Sequence, residues 1–172
     1  MSIDDSLAVF RELVATAAGE GMWVRGYVST AFGCPYEGAV APQAVGRVAA
    51  ALAEMGCQEV SIGDTIGVAV PEQVPGVLQA VTARVPLERV ALHLHDTRGT
   101  AVANVDAGLE LGVRTFDSSA GGLGGCPFAP GAPGNLATET LLSHLDMRGL
   151  ETGVDREAVR AAATFVQERL HA

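Results

Sequence analysis

The sequence has no clustered Lys or Arg: 11 basic residues stand against 20 acidic ones among 172, for a formal charge of −9. A surface of that sign repels a phosphate backbone, which argues against nucleic acid or an anionic membrane as partner. No apolar run approaches the roughly 20 residues that span a bilayer, and the early Asp4 and Asp5 do not suit a transit peptide. Cysteine is scarce. Cys34, Cys57 and Cys126 are odd in number, form no CxxC pair and follow no secretory segment, so a reducing, cytoplasmic setting is expected. There is no Gly-Lys-Ser/Thr, which excludes the phosphate-cradling P-loop, and no dinucleotide-binding glycine fingerprint directly after a first strand.

What is present is enough apolar side chain for a core, 48% of residues with a positive mean hydropathy. The length suits one domain and falls short of the roughly 250 residues of a complete (β/α)8 barrel. Leu7, Phe10, Leu13, Val14 and Ala17 recur at helical spacing, predicting a helix over residues 2–20 with Ser2 or Asp4 at its cap. A short apolar run at 23–29, a Gly/Pro-rich turn at 33–38 and a helix with Val45, Val48, Leu52 and Met55 on one face follow. Pro42 sits in that helix's first turn and Gly56 at its end. Strands are then predicted at 59–63, 90–95 and 114–117, and helices at 72–85, 100–111, 137–148 and 155–171. Four successive strand-then-helix units imply an α/β fold with a parallel sheet, either open or part of a barrel. In both, ligands gather at the C-terminal ends of the strands.

The chemistry-bearing residues fall at those ends. His93 and His95 are two apart on one strand, so their side chains share a face and make a candidate metal chelate, followed at once by Asp96. A hydrogen-bonded pair of core histidines is the competing account. His144 and His171 fall on helices and read as solvated. Asp64, after the second strand, either orients a ligand or acts as a base, or caps the turn that follows it. Arg25 and Tyr27 share a face of the first strand. Arg25 either meets a substrate carboxylate or phosphate, or forms an ion pair within the sheet. The segment 121–135 is longer and richer in glycine than a βα turn requires and has the form of a loop that closes over a substrate. It carries Cys126, a candidate thiol acid or base, and ends in Asn135, which either caps the next helix or offers a neutral oxygen to a cation.

Taken together, Val24-Arg25-Gly26-Tyr27-Val28-Ser29, Gly33-Cys34-Pro35-Tyr36-Glu37-Gly38, Gly63-Asp64-Thr65-Ile66-Gly67, His93-Leu94-His95-Asp96-Thr97 and Gly122-Leu123-Gly124-Gly125-Cys126-Pro127 with Gly134-Asn135 resemble the hydroxymethylglutaryl-CoA lyase family. The glycine-rich loop with its cysteine is the most specific of these motifs. The paired histidines are shared with related aldolases and synthases. The resemblance implies the C-terminal half of a TIM (β/α)8 barrel. In it His93, His95 and Asn135 bind a divalent metal, magnesium by the family's habit, with manganese or zinc equally suited to such ligands. It implies Cys126 and Asp64 as catalytic residues and Arg25, Tyr27 and Thr65 as substrate-binding ones. The implied reaction cleaves an acyl-CoA, 3-hydroxy-3-methylglutaryl-CoA, to acetoacetate and acetyl-CoA.

The family's first strand carries an arginine–aspartate pair that has no counterpart here, and the first helix leads directly into what resembles the fifth barrel strand. The expectation is one partial barrel domain over 1–172 without its N-terminal half. Its apolar inner face and two strand edges would be covered by a missing half-barrel or by self-association. Little lyase activity is expected of the chain alone. The competing readings are a related aldolase or Claisen-type synthase, a non-catalytic half-barrel, and an open flavodoxin-like domain. The last leaves the histidine pair and the Gly-Cys loop unexplained.

Overall fold

The computed structural model describes residues 2–124 and 134–170. Helix α1 (Ile3–Gly19) opens on Ser2, whose Oγ accepts the Asp5 N–H at 3.1 Å while the Ser2 N–H donates to the Asp5 carboxylate at 3.2 Å. This reciprocal cap satisfies two of the free donors at a helix start. Strand β1 (Arg25–Val28) leads to α2 (Pro42–Glu54), where Pro42 occupies the first turn and Gly56, at φ +112°, follows the helix end. Strand β2 (Glu59–Gly63) precedes a 3-10 turn (Pro71–Gln73) and α3 (Val74–Thr82). The single helix expected at 72–85 is thus divided. Pro75 has no N–H to give and is tolerated only in a first turn, so the α-helix begins at Val74. Strand β3 (Val90–His93), α4 (Ala101–Glu110), β4 (Thr115–Asp117), α5 (Thr138–Met147) and α6 (Arg156–Leu170) complete the order.

The four strands pair in parallel and their order is β1-β2-β3-β4 without reversal. Right-handed crossovers that always step in one direction put every connecting helix on the same face, which builds a barrel wall and not a doubly wound sheet. The buried side chains agree. Val28, Val60, Ile62, Val90 and Leu92 pack with Val45, Leu52, Val77, Val81 and Val105 in one core. Helix and sheet approach closely where glycine permits. A Cβ on Gly108 would stand 2.7 Å from Leu92, and one on Gly46 2.5 Å from the Ala80 carbonyl oxygen, which locks α2 against α3.

The register aligns Arg25 with Glu59, Tyr27 with Ser61, Gly63 with His93, and His93 with Asp117. Aligned residues of parallel strands share a face, so these side chains occupy the side away from the helices. The expectation of an apolar inner face is therefore corrected: it is polar, bearing Arg25, Glu59, Ser61, His93 and Asp117. Its polarity follows from the period of two, because the alternate positions are the ones that fill the helix-side core. His144 is corrected as well. Its ring is mostly buried between α4 and α5, with Nε2 2.7 Å from Asp106 Oδ1, an oxygen that also takes Arg148 Nη1 at 2.7 Å. His171 lies outside the described residues.

Candidate active site

Strand β3 ends at His93, and His95 two residues on keeps its ring beside that of His93, with Nε2 of one 3.2 Å from Nε2 of the other. Segment 134–136 runs antiparallel to the strand end. Leu136 donates its N–H to the Leu94 carbonyl and Asp96 donates to the Gly134 carbonyl, both at 3.0 Å. This sets Asn135 opposite His95, on the same side. The Asn135 side chain lies on the same side as His93, lining one depression with it. Its Nδ2 is committed elsewhere, donating to the Leu123 carbonyl at 3.0 Å and toward that of Gly124 at 3.4 Å, so Oδ1 is the atom facing the histidines.

The two histidine nitrogens have the spacing that a shared divalent cation would require. An ion about 2.1 Å from each imidazole nitrogen holds the two nitrogens about 3.0 Å apart at a right angle and about 3.4 Å apart at a tetrahedral one. The observed 3.2 Å lies between. Burial and the adjacent His93 ring lower the pKa of His95, which keeps it neutral and able to act as a ligand. His93 Nδ1 stands 3.2 Å from Asp117 Oδ2. A carboxylate only accepts, so the proton sits on Nδ1 and the lone pair of Nε2 points inward.

Asp117 was not singled out from the sequence, and it joins the polar face into one network. Ser61, fully buried, donates to its Oδ2 at 2.9 Å, and Arg25 Nη2 lies 2.8 Å from its Oδ1. Burial alone would raise the Asp117 pKa, but the hydrogen bonds from His93, Arg25 and Ser61 outweigh it and hold the carboxyl below its ordinary value. Arg25 also pairs through Nε with Glu59 at 2.5 Å, donates to the Tyr27 hydroxyl at 2.9 Å and lies over the Tyr27 ring. The ion pair within the sheet is thus present. Tyr27 is half exposed and meets His93 edge to face, ring centres 6.1 Å apart. An open depression of about 520 Å³ is lined by Tyr27, His93, Asp117, Ser118, Ser119 and Asn135.

The loop after β2 is pinned by Asp64, which is buried. One of its carboxylate oxygens accepts the Val68 N–H at 2.9 Å and the other the Ala69 N–H at 3.1 Å. Burial raises its pKa against the opposing effect of these bonds. The turn-capping geometry weighed from the sequence is present. Thr65 turns to the loop after β1, its Oγ1 accepting the Thr30 N–H at 2.8 Å. Thr30 itself is at φ +55°, a strained conformation for a β-branched residue, on the rim of the strand ends. Asp96 caps the entry to α4 by accepting the Ala101 N–H at 3.0 Å. Cys126, with the rest of 125–133, lies outside the described residues.

A paired-histidine strand end, an asparagine laid across it and a monotonic parallel sheet are the features that comparison with known proteins can test. The model of the HMGL-like family matches residues 1–166. The chain belongs to the HMGL-like family. A hydroxymethylglutaryl-CoA lyase of Pseudomonas mevalonii is 49% identical over 169 residues, covering 98% of this chain and 56% of the relative. The crystal structure of an HMG-CoA lyase from Brucella melitensis superposes with a TM-score of 0.97 at 45% identity, covering all of this chain and 61% of that one. An HMG-CoA lyase from Acinetobacter baumannii, solved with coenzyme A and 3-methylmalate, gives a TM-score of 0.87 at 38% identity over 95% of this chain and 53% of that one. The HMGL-like chain thus spans about half the length of the relatives it matches, and its four strands are barrel strands. No helix among the described residues is long and apolar enough to cross a membrane.

Proposed function

We propose that this HMGL-like chain carries the metal-binding part of a carbon–carbon lyase site acting on an acyl-CoA, 3-hydroxy-3-methylglutaryl-CoA, with acetoacetate and acetyl-CoA as products. The observation that carries the reading is the 3.2 Å approach of His93 Nε2 and His95 Nε2 at one strand end, with Asn135 paired to His95 through the backbone and Asp117 behind His93. His93, His95 and Asn135 would hold the cation, magnesium first, with manganese and zinc suited by the same donor set. When bound, such a cation would supply Lewis-acid chemistry at a substrate oxygen. Asp117 keeps the His93 lone pair aimed inward. Tyr27 lines the depression as a substrate-side residue; Arg25 and Thr65 are proposed to join it from the ends of β1 and β2, and Asp64 holds the loop after β2. Cys126 is the candidate that returns a proton to the departing carbanion.

The acyl-CoA class is supported by the relative solved with coenzyme A. The cytoplasm is proposed as the setting, on the scarce cysteines, of which Cys34 and Cys57 are free. In this reading a second polypeptide segment, the N-terminal part of a family barrel, completes the site. The test is co-expression of this chain with the N-terminal portion of the Pseudomonas mevalonii relative, followed by assay of acetoacetate release from 3-hydroxy-3-methylglutaryl-CoA. Activity that disappears with His93→Gln supports the reading. A stable complex with no release overturns it.

A further inference from the structure

An asparagine is a useful ligand only if its oxygen faces the cation, and the two faces of a side-chain amide differ little in size. The structure resolves this at Asn135 with a turn of glycines. Gly121, Gly122 and Gly124 have φ of +67°, +64° and +98°, values that bring the chain back on itself and favour glycine. The carbonyls of Leu123 and Gly124 thereby point at Asn135, accepting from Nδ2, and the Gly124 carbonyl also takes the Asn135 main-chain N–H at 3.2 Å. A flipped amide would set its oxygen against two carbonyl oxygens, which is repulsive. The fit is close: a Cβ on Gly124 would stand 2.8 Å from Asn135 Nδ2, and one on Gly122 3.3 Å from the Asn135 carbonyl oxygen.

The turn is held in turn by Glu139. Both of its carboxylate oxygens receive the Gly121 N–H, at 3.1 and 2.9 Å, from the first turn of the helix that follows Asn135. Helix α6 closes over the same glycine, since a Cβ there would meet Gln167 at 2.8 Å and Ala163 at 3.4 Å. Glu139 would serve the α5 dipole as well from many rotamers. A bond through both oxygens to one N–H 18 residues away is a more specific arrangement.

We propose that residues 120–124 are a rigid cradle that orients the Asn135 amide, and that Glu139 is the positioning residue that holds the cradle in place. The proposal rests on the metal reading only for the purpose of that orientation. The test has two readouts on the 172-residue chain: the side-chain NH2 resonances of Asn135 by NMR without metal, and Mn2+ affinity. The wild type should show a protected, shifted NH2 pair. Glu139→Ala should move that pair toward solvent values and weaken Mn2+ about tenfold. Glu139→Gln, which keeps an acceptor oxygen, should restore most of both. Gly124→Ala attacks the cradle from the other side and carries the same expectation should Glu139→Ala fail to fold. Unchanged Asn135 resonances in folded Glu139→Ala, or in Gly124→Ala, overturn the proposal. Resonances that move while Mn2+ affinity stays constant uphold the cradle and count against Asn135 as a ligand.

Discussion

Asp117 Oδ2 stands 3.2 Å behind His93 Nδ1, at the one position on β4 whose register brings a carboxylate level with the end of β3. The carboxylate fixes which ring nitrogen carries the proton. Removing its charge should loosen the ring and lower the basicity of Nε2. Asp117→Asn is expected to weaken Mn2+ binding roughly 10- to 100-fold, the range for partners of metal-bound histidines. Isothermal titration of the variant against the wild type checks this, with a thermal melt to show that the sheet is intact. Equal affinities would remove Asp117 from the site.

Arg25 lies between two carboxylates, Glu59 at 2.5 Å and Asp117 at 2.8 Å, with all three side chains about 16–17% exposed. Replacing it by Met leaves two negative charges close together on the sheet with no cation between them. A fully buried pair broken in this way costs about 3–5 kcal/mol. The face here is open on one side, so about 2 kcal/mol is expected, read as a lower urea midpoint with unchanged slope. The double variant Arg25→Met, Glu59→Gln should recover part of the loss, because one orphaned charge is then gone.

The βα alternation was legible because each strand is bounded by turn residues and each helix carries a 3.6-residue apolar stripe. His93 and His95 were legible because the period of two needs no tertiary information. Asp117 was not, because a three-residue strand has no pattern of its own and its meaning depends on register with a strand 24 residues earlier. The polar inner face had left a trace in the alternation of Glu59 and Ser61 with Val60 and Ile62 and of His93 with Leu92 and Leu94. Its five polar groups satisfy one another only after four strands are aligned. His144 looked solvated because its partner, Asp106, is on another helix.

At Gly46 the two helices α2 and α3 touch through backbone, with 2.5 Å between a notional Cβ and the Ala80 carbonyl oxygen. Alanine is the better helix former by about 1 kcal/mol, so on an exposed helix the change would stabilise. Here the helices must separate, and overpacking costs about 1–3 kcal/mol. Gly46→Ala is expected to lower stability by about 1 kcal/mol net, while the exposed Gly19→Ala, whose Cβ meets nothing within 4 Å, should not. Chemical denaturation of both variants side by side decides it.

The last prediction concerns Asp64, whose two carboxylate oxygens each hold a backbone N–H of the loop after β2. An asparagine has nearly the same shape but only one acceptor oxygen. Its NH2 must then face the N–H of either Val68 or Ala69, donor against donor, in a site that water does not reach. An unsatisfied buried donor costs about 1–3 kcal/mol, and Asp64→Asn should lose about that much stability. Asp64→Ala, which strands both donors, should lose more. Hydrogen exchange at the Val68 and Ala69 amides reports the site directly: both should exchange faster in the variants than in the wild type. If the amides keep their protection and the stability is unchanged, the carboxylate is not committed to the loop. It is then free for proton transfer, and any activity lost in Asp64→Asn belongs to chemistry and not to the collapse of a turn.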